Sequence, residues 1–117
     1  MPRKDFIALN TTELPWTPDP GWLKLPPGVQ VKILAEDQET GRVDMMVKFP
    51  PGYVEPRHTH ESYHSICVLD GTMKVAGKTL RRGDYVFGWD EPHGPYEYPD
   101  GCTVFVAFNR GSTVHIY

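Results

Sequence analysis

Twelve prolines and eleven glycines punctuate a chain of 117 residues. Proline breaks a helix interior and glycine weakens one, so this spacing leaves little room for helix. The runs between them are short and rich in Val, Ile, Thr, Phe and Tyr, residues that suit a pleated, half-buried surface. Eight stretches read as strands: 29–36, 42–49, 64–69, 72–76, 84–89, 93–98, 103–109 and 113–117. Turn signals such as "ETGR", "PPG", "DG", "AGK" and "PDG" join them. The fold class expected is therefore all-β. Strands this short and numerous bury their open edges by closing on one another in a sandwich or barrel, which encloses a lumen lined by every second side chain.

Residues 1–28 differ from the rest, with several prolines and two of the three tryptophans. They are expected to form an extended N-terminal arm, with residues 29–117 as the barrel domain; an arm of this kind suits a partner subunit's surface. The formal charge of -3, with 23% charged and 39% hydrophobic residues, offers no basic face for a phosphate backbone, so no nucleic-acid partner is expected. No run approaches the roughly 20 apolar residues of a membrane span, and the N-terminus lacks the apolar stretch of a secretory signal. No membrane association is expected, and the expected compartment is the cytoplasm. Cys67 and Cys102 each sit in an apolar run and read as two buried thiols rather than a redox pair.

The densest chemistry lies in "PPGYVEPRHTHESYHSICVLDG", residues 50–71, which holds three of the five histidines. His58 and His60 are two apart, so on an extended backbone they face the same side. Four more extended residues would carry His64 about 13 Å from His60, too far for ligands of one ion. A metal site therefore requires a bend at Glu61–Ser62. A fourth histidine, His93, opens the run 93–98 and could complete the site from a facing strand. His115 reads as structural or exposed. Glu55, Arg57 and Glu61 flank the ligands and read as solvated turn residues that could also orient them. Tyr85, Phe87, Trp89, Tyr96 and Tyr98 are candidates for the lumen wall, with alternation sending some of them outward.

The same stretch resembles the first motif of the cupins, which runs G, five residues, H-x-H, three or four residues, E, six residues, G. Gly52, His58, His60 and Gly71 match, and His64 stands in the glutamate position. "GDYVFGWDEPHGPYE" resembles the second motif through Gly83 and His93, with Trp89, Glu91 and Glu97 at positions that hold proline, glycine and asparagine in the family. The resemblance implies a double-stranded β-helix, the jelly-roll barrel of cupins, and a metal ion held by His58, His60, His64 and His93. It is similar in particular to small all-histidine cupins, to acetylacetone-cleaving dioxygenases and to the cupin half of ChrR-type anti-sigma factors. The anti-sigma role is not expected here, because no zinc-binding domain precedes the barrel. A homodimer is implied by the resemblance alone.

Four neutral imidazoles would leave a divalent ion its full charge, whereas a three-histidine, one-glutamate set cancels one unit of it. Such a centre should attract a small-molecule substrate that acts as an anionic oxygen chelator. The resemblance favours Fe(II) or Mn(II); Ni, Cu or Zn also suit imidazole. The function expected is a metal-dependent dioxygenase that oxidatively cleaves a small enolisable or dicarbonyl substrate. The alternatives are a redox-neutral isomerase or lyase, and a non-catalytic cupin that binds a metal and a small molecule.

Overall fold

The computed structural model describes residues 6–19, 27–37, 39–55, 58–60, 63–88, 94–108 and 114–116, with 58–60 and 114–116 described as backbone. Among the described residues a single 3-10 turn, Thr11–Glu13, precedes twelve strands. These are β1 (Thr17–Pro18), β2 (Gln30–Asp37), β3 (Arg42–Phe49), β4 (Tyr53–Glu55), β5 (His58–His60) and β6 (His64–Gly71), followed by β7 (Met73–Val75), β8 (Lys78–Leu80), β9 (Tyr85–Gly88), β10 (Tyr96–Tyr98), β11 (Cys102–Phe108) and β12 (Val114–Ile116). They form a six-stranded sheet in the order β1-β2-β3-β11-β6-β9, a four-stranded sheet β4-β10-β7-β8 and a pair β12-β5. Every pairing is antiparallel. The chain is all-β, with the arrangement of a cupin jelly roll. Among the described residues no helix is long and apolar enough to cross a membrane.

Alternation builds one core between the two larger sheets. In β3, Val43, Met45, Val47 and Phe49 are buried while Lys48 is exposed; β11 buries Cys102, Val104, Val106 and Phe108. The register aligns these into rows across β3, β11 and β6, such as Met45–Val106–Ile66 and Val47–Val104–Val68. The four-stranded sheet closes the core with Met73, Tyr96 and Tyr98, and Tyr98 stacks on Phe49 with ring centroids 4.0 Å apart and planes within 5°. Burying side chains of this size stabilises the closed sheet by about 1.5–3 kcal/mol each.

Several strands escaped the sequence reading. Thr17–Pro18 adds an edge strand to β2, and Thr17 Oγ1 donates to the Val31 carbonyl at 3.2 Å. The Lys32 ammonium donates to the Thr11 carbonyl at 2.9 Å and sits 4.6 Å above the Trp16 ring, so residues 11–18 are fastened to this chain's own sheet. The run expected as a strand from residue 93 begins instead at Tyr96: Gly94 and Pro95 lie outside the ladder, where proline's missing N–H costs no sheet bond.

Two turns carry the strain of closure. Gly71 has φ +81°, and a Cβ there would collide with the Gly101 carbonyl. In the two-residue β7–β8 hairpin, Ala76 and Gly77 have φ of 53° and 74°, the pattern of a type I′ turn that disfavours a Cβ at its first position. Gly71→Ala is therefore expected to cost roughly 2–5 kcal/mol in urea unfolding. Ala76→Gly should gain up to about 1 kcal/mol. Equal, small effects at both positions would contradict this description of the turns.

Candidate metal centre and lumen

His64 opens β6 and joins a row that runs Val43–Phe108–His64–Gly88 across β3, β11, β6 and β9. Its parity with Ile66 and Val68 turns it inward, and it is only 3% exposed. The imidazole packs on the Phe108 ring with centroids 5.5 Å apart and planes at 48°. Opposite it, Gly88 supplies the space for the ring: a Cβ at Gly88 would lie 2.7 Å from His64 Cε1 and 2.9 Å from Nε2. The sequence reading gave Gly88 no role, since the requirement is set by its partner across the ladder.

The other proposed ligands differ in how far the structure describes them. His58 and His60 lie on β5, which pairs with β12 so that His58 faces Ile116 and His60 faces Val114. The run from 58 to 64 is not one strand. β5 ends at His60 and β6 begins at His64 in another sheet, the break that a shared site requires. Glu61 and Ser62, where a bend was expected, lie outside the described residues, as do Arg57, Trp89 and His93. His115 faces Thr59 in the β12–β5 pair. Among the described residues no group of three or more His, Cys, Asp or Glu side chains is gathered for a metal.

Glu55 departs most from its sequence reading. Residues 53–55 are a strand, not a turn, and pair with β10 so that Glu55 lies opposite Tyr96 and Tyr53 opposite Tyr98. Tyr96 and Tyr98 are buried, so alternation turns Glu55 to the same inner face and sends Val54 and Glu97 outward. The Tyr98 hydroxyl donates to Glu55 Oε1 at 3.2 Å. Glu55 and His64 both border a cavity of about 50 Å3, whose other lining includes Met45, Phe49, Met73 and Phe108. At about 10–15 Å3 per water, this space admits three to five waters or one small ligand. A larger, open depression over the β7–β8 turn is lined by Lys74, Lys78, Gly94, Pro95 and Glu97, with no part of its described wall from His64.

The remaining candidates divide by parity. Tyr96 and Tyr98 wall the lumen, whereas Tyr85 and Phe87, on β9, are 60% and 55% exposed. Cys102 is buried as expected; Cys67 is half-buried on the outer side of β6, because its parity is opposite to that of Ile66. Burial and the nearby Glu55 carboxylate push the Tyr53 phenol up to about 12 and raise Tyr96 and Tyr98 well above the ordinary phenol range. Burial, with Asp100 and Asp70 nearby, pushes the Cys102 thiol up to about 12. The lumen phenols are thus neutral hydrogen-bond donors at any physiological pH.

Residues 5–111 match the family model described as the ChrR Cupin-like domain. No curated protein matches the chain. Among solved structures, an acetylacetone dioxygenase from Acinetobacter johnsonii superposes with a TM-score of 0.70 at 18% identity, covering 93% of this chain and 76% of that one. The polyketide cyclase RemF from Streptomyces resistomycificus gives 0.71 at 20% identity, covering 96% and 85%. A chain of the Rhodobacter sphaeroides complex of SigE with the anti-sigma ChrR gives 0.63 at 20% identity, covering 82% of this chain and 50% of that one. At such identities these likenesses establish a shared fold.

Two outcomes follow from the geometry. Gly88→Ala should displace the His64 ring, seen as a shift of its imidazole resonances in NMR, and cost about 1–3 kcal/mol of stability; unchanged resonances would contradict the packing described. Tyr53, Tyr96, Tyr98 and Cys102 hold their protons more tightly folded than unfolded, so folding gains nothing while both states are protonated. The contribution of these four groups should be flat up to about pH 9, and stability should fall as pH rises from there toward about 12, where the unfolded chain ionises first. Denaturant midpoints measured across that range check the direction.

Proposed function

The chain belongs to the family of ChrR cupin-like domains, and from that premise we propose that it is a metal-dependent cupin enzyme in which His58, His60, His64 and His93 hold one divalent transition-metal ion. The reaction is dioxygenation: oxidative carbon–carbon cleavage of a small enolisable or dicarbonyl substrate. The observation that carries this reading is His64, a buried imidazole kept in an apolar lumen by Gly88 and Phe108. Three further histidines fit the same role: His58 and His60 by their H-x-H spacing on a strand, and His93 by its position in the motif. An all-imidazole donor set suits Fe(II) or Mn(II), and also Ni, Cu or Zn.

Bound there, such an ion would polarise a chelating oxygen pair and, as iron, supply redox chemistry with dioxygen. The chain's own residues do the rest. The largely apolar walls limit the substrate to a small molecule. Tyr98 fixes the Glu55 carboxylate by its hydroxyl, and the row of Phe108, His64 and Gly88 fixes the imidazole.

A redox-neutral isomerase or lyase is the second reading. It is favoured by the Glu55–Tyr98 pair, a carboxylate and a neutral phenol in one lumen, which can accept and return a proton without dioxygen. RemF, a cyclase, shares the fold. The homodimer belongs to the same proposal: Tyr85 and Phe87 on the edge strand β9 offer apolar surface that a second copy would cover.

Elemental analysis of untagged protein should find about one metal ion per chain, falling to near none in a His58→Ala, His60→Ala double variant. Oxygen uptake on iron-loaded protein with a diketone supports the dioxygenase, and equal turnover without oxygen selects the redox-neutral reading. A metal-free chain with an unchanged melting point in the variant would defeat both.

A further inference from the structure

The outer face of the six-stranded sheet is covered at one end and open at the other. One outward row runs Lys32–Met46–Phe105–Cys67–Tyr85 across β2, β3, β11, β6 and β9. Lys32 is only 8% exposed, with the N-terminal arm over it: its ammonium donates to the Thr11 carbonyl, and the Trp16 ring lies 4.6 Å from it and 5.6 Å from the Lys48 ammonium. Tyr85, at the far end of the row, is 60% exposed. Next to it Phe87 is open and stacks on the exposed Tyr63 ring with centroids 6.0 Å apart, and Leu69 follows Cys67 on the same side of β6. The Tyr85 ring is fixed in place by its hydroxyl, which donates to Ser65 Oγ at 3.2 Å.

A second apolar group lies just before the latch made by Thr11 and Trp16. Residues 6–10 are all exposed, and they carry Phe6, Ile7 and Leu9, with Phe6 93% exposed. An apolar patch and an apolar segment left open on one chain mark an interaction surface. Leu9 stands two residues before Thr11, about 7 Å of extended chain. From β2, where Thr11 is held, β9 is four strand spacings away, about 19 Å. While the latch holds, Leu9 falls short of the patch of its own copy. At about 200 Å2 for each large apolar side chain, the exposed fractions leave on the order of 400 Å2 on the patch and a similar area on residues 6–9. A reciprocal exchange between two copies then covers on the order of 1,500 Å2, the size of a specific interface.

We propose that residues 6–9 of each copy dock on the Tyr63, Tyr85 and Phe87 patch of a second copy, and that this contact holds Gly88 of β9 against His64. The proposal names the contact within the homodimer inferred above and rests on that homodimer, not on the metal ion. Arm and patch lie at opposite edges of one sheet, so two copies related by a two-fold axis satisfy both contacts and close; a one-way arrangement would run on into a filament. Phe87 and Gly88 are neighbours on β9, the first turned outward to the patch and the second facing the His64 ring across the ladder. Among the described residues β9 has β6 as its single partner, and an edge strand held on one side opens more readily than a central one. A second copy packed on its outer face opposes that opening and keeps the imidazole in its place.

The test uses the full, metal-free chain. Light scattering and sedimentation at micromolar concentration should find a dimer. Phe6→Ser with Ile7→Ser, two exposed positions whose change leaves the fold of one copy intact, should raise its dissociation constant about a hundredfold or more. Tyr85→Ser with Phe87→Ser should do the same from the other side of the contact. With Phe6 replaced by benzoylphenylalanine in an equal mixture of heavy-nitrogen-labelled and unlabelled chains, irradiation should join position 6 to the peptide carrying Tyr85 and Phe87 of the other copy. Crosslinks confined to one chain overturn the exchange. In the monomeric arm variant the His64 imidazole resonances should shift or broaden; unmoved resonances overturn the link to Gly88. A wild-type monomer defeats the homodimer itself, whereas a dimer that withstands the arm variant leaves the homodimer standing and defeats only the role of the arm.

Discussion

Gly71 packs so closely on the Gly101 carbonyl that a Cβ has no place there, and this contact pins the end of β6 against β11. Thr72 N donates to the same carbonyl at 3.1 Å. From that fixed end the ladder passes one irregularity, at Thr103–Val104, and then runs in register to His64. A slip of one residue would turn Ser65 and Cys67 inward and carry His64, Ile66 and Val68 to the outer face. The position of the buried imidazole is therefore a consequence of strand register set seven residues away, and the row Val43–Phe108–His64–Gly88 is its expression across four strands.

The four-stranded sheet contributes the opposing chemistry. Its inner face carries Tyr53, Glu55, Tyr96 and Tyr98, because β4 and β10 pair with these residues on one side. Phe49 stacks on Tyr98 and so locks the phenol whose hydroxyl holds Glu55. An apolar cavity thus lies between an imidazole on one sheet and a carboxylate on the other. The buried phenols of Tyr96 and Tyr98 border it as neutral donors, their protons held by burial and by the Glu55 carboxylate.

The all-β class and the main strands were legible because period-two alternation and turn residues are local signals, strong in β3, β6 and β11. The cupin resemblance was legible from Gly52, His58, His60 and Gly71 for a similar reason, since their spacing lies within one short stretch. The short strands β1, β4, β5 and β8 were not, as two or three residues carry too little pattern to stand out from a turn. Glu55 was misread as solvated for that reason: its inward direction is decided by pairing with Tyr96, forty-one positions along the chain. Gly88 was invisible in the same way, since only its neighbour His64 across the ladder explains the missing side chain.

The central claim, that four imidazoles converge on one ion, is most directly tested by X-ray absorption on protein loaded with zinc or iron. The four-histidine centre predicts a first shell of nitrogen and oxygen scatterers, near 2.0–2.1 Å for zinc, together with the outer-shell multiple scattering of about four imidazole rings. A spectrum that lacks the imidazole signature, or one fitted by sulfur or by oxygen alone, would contradict it.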